Sequence, residues 1–225
     1  MVTTGMDRRA LMAGLTVMGA APEHAAAAPP SAVYDYLFFN DAAPVPSALV
    51  ASTKGTAAVL ARFTPQLGWA NDQSALLIGR DAGEQGGLDE GAVSALTRTL
   101  GVEHHRLTAT ARPNDVSPPW PGGIYVHRWF IVPDANVPEF VELSVQGWRD
   151  FETRYDARIY GLFHSTSAEG GPGIGDRRLL LLTRYASHSV WEISRDPRTD
   201  AMATFRRRQA LTRRTWAAST LLSTS

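Results

Sequence analysis

From residue 124 onward the hydrophobic and polar positions change period in an orderly way. Residues 125–132, Tyr-Val-His-Arg-Trp-Phe-Ile-Val, are β-branched and aromatic and stop at Pro133, which is the composition of a strand. Over 137–155 the apolar positions are Val137, Phe140, Val141, Trp148, Phe151 and Tyr155, with Ser144 as the weak member. That spacing of three and four places them on one face of a helix, with Glu139, Glu142, Arg149 and Glu152 largely on the other. Residues 157–164 and 178–185 follow as strands, separated by a glycine-rich loop at 169–175 that contains Pro172. The run from Leu179 to Leu182 predicts a strand buried on both faces. A last helix is expected over 200–222, with Met202, Phe205, Thr212 and Trp216 as its buried stripe. No strand is evident after it, and 189–193 is the alternative for a fourth.

Residues 34–111 repeat this order more faintly. A strand is predicted at 34–39 and a helix at 46–63, with Leu49, Thr56, Leu60 and Phe63 on one side. Short strands follow at 67–69 and 75–78, then a helix at 88–100 and a strand at 105–111. The stretch 113–123, with Pro118-Pro119 and Gly122-Gly123, is the natural joint between the halves. The pattern therefore predicts an α+β chain of two ferredoxin-like β-α-β-β units in tandem, at 28–112 and 124–225, each an antiparallel sheet with helices on one face. The uncovered faces must find a partner. Packing them together within one chain gives an α/β barrel, an intrachain pseudo-dimer, with the ligand cavity expected between the sheets; a homodimer is the alternative.

The first 27 residues have a different grammar. Asp7-Arg8-Arg9 precedes an apolar run over 11–21, and alanines close the segment. A charged start, a short apolar stretch and small residues at the end describe a secretory signal, with Ala25 and Ala27 placed for cleavage after Ala27. The Arg8-Arg9 pair resembles a twin-arginine signal, so export to the periplasm or the medium is expected. The run is too short to span a bilayer, which takes about 20 residues, and no membrane span is predicted in the mature chain.

Composition narrows the chemistry. Basic and acidic side chains number 22 each, so no overall field draws the chain to nucleic acid or to an anionic membrane. Cysteine is absent, which excludes disulfides, thiolate metal sites and cysteine nucleophiles. The 170–175 loop (Gly-Gly-Pro-Gly-Ile-Gly) lacks the strand-to-helix context and the lysine of a phosphate loop. There is no Gly-x-Ser-x-Gly elbow and no His-Glu-x-x-His, and no metal site is expected. Arg206-Arg207-Arg208 with Arg213-Arg214 would form a basic ridge on a helix, read as a solvated face.

Residues 124–220 resemble a NIPSNAP domain. The resemblance rests on the strand 125–132, the helix ending near Trp148-Arg-Asp-Phe-Glu152, the strand Ile159-Tyr-Gly-Leu-Phe163, then Leu182-Thr-Arg-Tyr185 with Trp191-Glu-Ile-Ser-Arg195. It implies the ferredoxin-like, dimeric α/β-barrel class, which also holds cofactor-free monooxygenases and haem-dependent peroxidases. It implies no catalytic set, since NIPSNAP domains have no generally established reaction.

Candidate ligand-binding residues are Arg128, Trp129, Arg184, Tyr185 and Tyr160. Alternation puts Arg128 with Val126 and Phe130 on one face, and His127 with Trp129 on the other; Arg184 shares a face with Leu180 and Leu182. An arginine within an apolar strand is costly unless paired. Arg128 and Arg184 either close salt bridges with Glu142, Glu152 or Glu192, or converge on an anionic ligand that the planar guanidinium fork suits. His127, His164 and His188 are the side chains open to haem ligation or general-base work, and no motif implies haem or any other cofactor. Three functions stay open: a binding module for a small organic ligand, an oxygenase- or peroxidase-type enzyme in the same cavity, and an envelope scaffold. No catalytic residue can be assigned.

Overall fold

A computed structural model describes residues 32–40, 53–54, 57–83, 87–88, 90–166 and 173–223. The first half contains β1 (Ala32–Phe39), β2 (Thr53–Lys54), β3 (Ala58–Leu67), β4 (Ser74–Asp81), β5 (Gly87–Leu88), α1 (Glu90–Leu100) and β6 (Glu103–Ala109). The second contains β7 (Ile124–Pro133), a 3-10 turn (Asp134–Asn136), α2 (Val137–Arg154), β8 (Ala157–Ser165), β9 (Asp176–Tyr185), α3 (His188–Ile193), α4 (Asp200–Ala210) and β10 (Arg214–Leu222). Each half is a four-stranded antiparallel sheet with the ferredoxin-like order, β6-β1-β4-β3 and β10-β7-β9-β8. Strand β10 pairs with β3, and β6 with β8, so the two sheets close into one eight-stranded barrel. The expected pseudo-dimer within one chain is the fold observed. β2 and β5 form a separate two-stranded ribbon.

Three departures from the sequence reading have local causes. The expected helix at 46–63 is strand from Ala58 onward, while 46–52, 55 and 56 lie outside the described residues. The register of β3 against β4 shifts between Val59 and Ala61, so Leu60 and Ala61 are both buried beside Phe63. A β-bulge breaks the two-residue period, and the broken period mimics helical spacing. The expected helix over 200–222 ends at Ala210, and 214–222 is the fourth strand of the second sheet. Its buried members, Ala218, Ser219 and Thr220, are small and carry little hydrophobic contrast. The alternative strand at 189–193 lies in α3.

The barrel interior is an aromatic core. Tyr34, Tyr36, Phe63, Tyr125, Trp129, Tyr160 and Phe163 pack there with Leu77, Leu107, Leu180 and Leu182. Rings meet edge-on, as at Tyr34–Phe163 (5.1 Å) and Phe63–His127 (4.5 Å), the geometry that ring quadrupoles favour. One end of the barrel is closed by the 113–123 joint. Tyr34 and Tyr160 donate their hydroxyl protons to the carbonyls of Asp115 (2.6 Å) and Ser117 (2.7 Å), and Tyr125 donates to that of Trp120. The joint is thus tied to strands of both sheets.

At the centre, the fully buried His127 has both ring nitrogens engaged. The Thr220 hydroxyl donates to the Tyr125 carbonyl, so its oxygen is free to accept from Nε2–H of His127 (3.0 Å), and Nδ1 then accepts from the Tyr36 hydroxyl (2.9 Å). Every partner is satisfied with the imidazole neutral. Desolvation pushes its pKa down from 6.5 to about 3. Because the folded value is depressed, the contribution to stability is complete above pH 6.5 and is lost as the pH falls toward 3. Between those limits the unfolded chain binds a proton that the fold refuses, costing about 1.4 kcal/mol per pH unit. Denaturant midpoints measured from pH 7 to pH 4 should therefore fall more steeply for the native chain than for His127→Leu by that one-proton slope. The variant itself loses about 1–3 kcal/mol at pH 7, because the Tyr36 hydroxyl is left unpaired. Equal slopes would mean that His127 is protonated inside the barrel.

Candidate functional site

The outer face of the second sheet is covered by α2 and α4, and the cover leaves a gap. Val126, Phe130, Ile159, Leu179 and Leu181 supply the sheet side of this layer, and Phe140, Trp148 and Phe151 the α2 side. Two caps fix the start of α4: the Thr199 hydroxyl accepts from the backbone N–H of Met202 (3.3 Å), and Asp150 of α2 accepts from that of Ala201 (3.2 Å). Between these elements lies a cavity of about 200 Å³, lined by residues of β7, β8, β9 and α2, the α3 region and α4. Its walls combine rings (Trp148, Phe151, Tyr185, Trp191, Phe205) with four arginines, Arg128, Arg195, Arg206 and Arg208; no carboxylate lines it.

The interior arginines are Arg128 and Arg208. Arg208 is 7% exposed. Its Nη1 donates to the Ser144 hydroxyl (3.2 Å), whose own proton goes to the Phe140 carbonyl (2.7 Å), while its buried Nε has no partner. The guanidinium carbon sits 4.6–5.3 Å from the ring centres of Phe130, Phe140 and Phe205, a cation–π cage in place of a counter-ion. Burial and the neighbouring Arg128 push its pKa down to about 9, so it stays charged at neutral pH. Arg128 is half-buried and also pushed down, first by desolvation. Burial raises the Tyr185 pKa, opposed by Arg128 and by a hydrogen bond with Ser194, and holds that residue as a neutral phenol. The indole Nε1 of Trp148, 1% exposed, is a second buried donor without a partner. Buried donors left unpaired cost about 1–3 kcal/mol each, so this gap is polar where a packed core would not be.

The sequence-predicted residues divide between the faces of the sheet. Arg128 and Tyr185 line the cavity. Trp129 and Tyr160 point into the barrel core. Arg184 lies opposite Tyr125 in the β7–β9 register, on the inner face; it binds Asp156 (3.1 Å) and the Gly122 carbonyl (3.2 Å), fastening the joint. Arg128 and Arg184 therefore do not converge. Glu152, weighed as a partner for either, instead holds Arg112 through both carboxylate oxygens (2.8 and 2.9 Å). The described cavity lies outside the barrel, because the space between the sheets is occupied by rings.

The basic ridge dissolves in the same way. Arg206 donates to the Pro197 carbonyl, Arg213 pairs with Asp176, Arg214 opens β10 over the Trp216 ring, and Arg208 is buried. Its interior place had a signal. Ala201, Phe205 and Arg208 are spaced four and three apart, so Arg208 occupies a core position of the α4 stripe.

Haem does not fit this wall. It carries no histidine and no cysteine; Met202 is a ligand that works beside a histidine, and Tyr185 is held by burial as a neutral phenol, not the phenolate that ligates haem. His127 is enclosed in the barrel, and His188 bonds Ser219 (3.0 Å). His164 lies on β8 and is not a lining residue. The volume is also below the roughly 300–1,000 Å³ of pockets for drug-sized ligands. Among the described residues no group of three metal-ligating side chains converges.

No protein-family model matches the chain, and no curated protein matches it. Solved structures do. An anthrone oxidase-like protein superposes with a TM-score of 0.61 at 13% identity, covering 86% of this chain and 92% of its own. Two variants of chlorite dismutase from Candidatus Nitrospira defluvii give TM-scores of 0.52 and 0.51 at 11% and 13% identity, covering 87% and 88% of this chain and 92% and 93% of theirs. At such identities the likeness is one of fold alone, a ferredoxin-like α/β barrel closed within one chain.

One contact sets the spacing of the cavity's roof. A Cβ on Gly147 of α2 would meet the Phe205 ring of α4 at 2.3 Å. Gly147→Ala should thus drive that ring off Arg208 and toward the cavity, costing about 1–3 kcal/mol by overpacking. Thermal unfolding checks it, and an unchanged midpoint would mean that α2 and α4 are not in close register.

Proposed function

We propose that this protein binds a small aromatic compound in the outer-face cavity of its second unit and oxidises it with molecular oxygen, without a resident metal or haem. The observation that carries the reading is the wall itself: rings on several sides, unpaired buried donors, and no histidine or cysteine. The likeness to an anthrone oxidase-like protein supports the oxygenase arm, as does membership of a fold class that includes cofactor-free monooxygenases. The NIPSNAP resemblance of 124–220 and export behind a twin-arginine leader at 1–27 belong to the same reading.

The chemistry follows from charge. Arginines around a bound aromatic compound with an acidic C–H or O–H stabilise its anion and lower its pKa, so the proton can leave to solvent. For an activated methylene, the carbanion and oxygen give a hydroperoxide on taking up one proton, and loss of water leaves a carbonyl. The sum is CH2 plus O2 to C=O plus H2O, with oxygen the oxidant. Arg128 and Arg208 hold the developing charge, and Trp148, Phe151 and Phe205 hold the ring.

Oxygen uptake by chelator-treated protein, screened over enolisable phenols of one or two rings, tests this. Uptake should persist in chelator and fall at least about tenfold in Met202→Trp, which fills the cavity from a half-buried position on α4 without touching the barrel. Uptake that needs added haem or metal, or that Met202→Trp leaves intact, would overturn it.

A further inference from the structure

The cavity's electrostatics name its ligand more narrowly than its shape does. Two guanidiniums, Arg128 and Arg208, line one small space and repel each other. Among the described residues the Arg128 guanidinium makes no hydrogen bond or ion pair, and the charged part of Arg208 meets three phenyl faces and one hydroxyl. Four carboxylates of the surrounding elements are committed elsewhere: Glu152 to Arg112, Asp150 to Arg154 and the start of α4, Asp156 to Arg184, Asp196 to Arg198. A buried charge without a partner is strongly destabilising; Arg208 is buried and Arg128 half-buried beside it, and together they make a site that favours an anion. Arg195 and Arg206 are exposed members of the same wall and extend the positive field to the opening.

We propose that the cavity is a carboxylate site: it takes an aromatic monocarboxylic acid of one or two rings, with the carboxylate between Arg128 and Arg208 and the ring against Trp148, Phe151 and Phe205. This rests on the small-molecule reading of the cavity and adds the charge and size of the ligand. Arginine's fork of donors matches two carboxylate oxygens, and the unpaired Nε of Arg208 is one of the donors left to give. The volume of about 200 Å³ admits one or two fused rings and excludes larger polycyclic acids unless the helices part. One acidic group suffices, since the two rim arginines are in water and screened.

Isothermal titration calorimetry on the full chain with benzoate and 2-naphthoate, each against its neutral carboxamide, separates the possibilities. The carboxylates should bind at least about tenfold more tightly than the amides. Arg128→Met and Arg208→Met should each lose about 10- to 100-fold for the carboxylates, as expected for a charge-assisted hydrogen bond, and change the amides little. Methionine keeps the apolar stem at both positions, and because Arg128 is half-buried, its variant stays informative if Arg208→Met does not fold. Equal binding of acid and amide would overturn the charge assignment while leaving the cavity as the site. Carboxylate binding that both variants and Met202→Trp leave unchanged would place the anion elsewhere, and no binding of any of the four compounds would reject the site for this ligand class.

Discussion

The structure depends on the need to cover two aromatic sheet faces at once. Tyr34, Tyr36 and Phe63 on one sheet, and Tyr125, Trp129, Tyr160 and Phe163 on the other, are too large and too apolar to face water. Closing the sheets on each other buries them all, and closure also removes the open strand edges of each half. The closing seams are short, limited to the ends of β3 with β10 and of β6 with β8. It is therefore the rings inside, the His127 hydrogen bonds that join β1, β7 and β10, and the tyrosine-capped joint at one end that hold the barrel shut.

That constraint decides where function can sit. An interior committed to packing leaves little room for a ligand, and its central polar set, His127 with Tyr36 and Thr220, is satisfied within itself and by the Tyr125 carbonyl. The outer face of the second sheet is different. There two helices bridge a sheet with a gap beneath them, and the donors of Arg208 and Trp148 are left without protein partners. On the proposed function, stability and binding divide between the two faces of β7: Trp129 and His127 face the barrel, while Val126 and Arg128 line the cavity.

Much of this was legible in the residues. Strands β7 and β9 run ten residues with their pairing in step, and α2 keeps its stripe for eighteen, so the second half showed its elements and which side chains share a face. Bulges at Leu60 and at Tyr160–Gly161 shift the alternation, which hid β3 and turned Tyr160 inward beside Phe163. β10 was hidden by small side chains, and Arg208 by the arginines beside it. What alternation cannot say is which face turns toward the partner sheet. Arg128 and Arg184 were correctly set on their own faces, yet nothing local showed that those faces are opposite sides of one sheet.

The most direct measurement is a crystal structure of the protein grown with 2-naphthoate at saturation. Density for the ring beneath α2 and α4, with its carboxylate between Arg128 and Arg208, is the expected result. Density within the barrel beside His127, or a cavity empty at saturation, would contradict the assignment of function to the outer face.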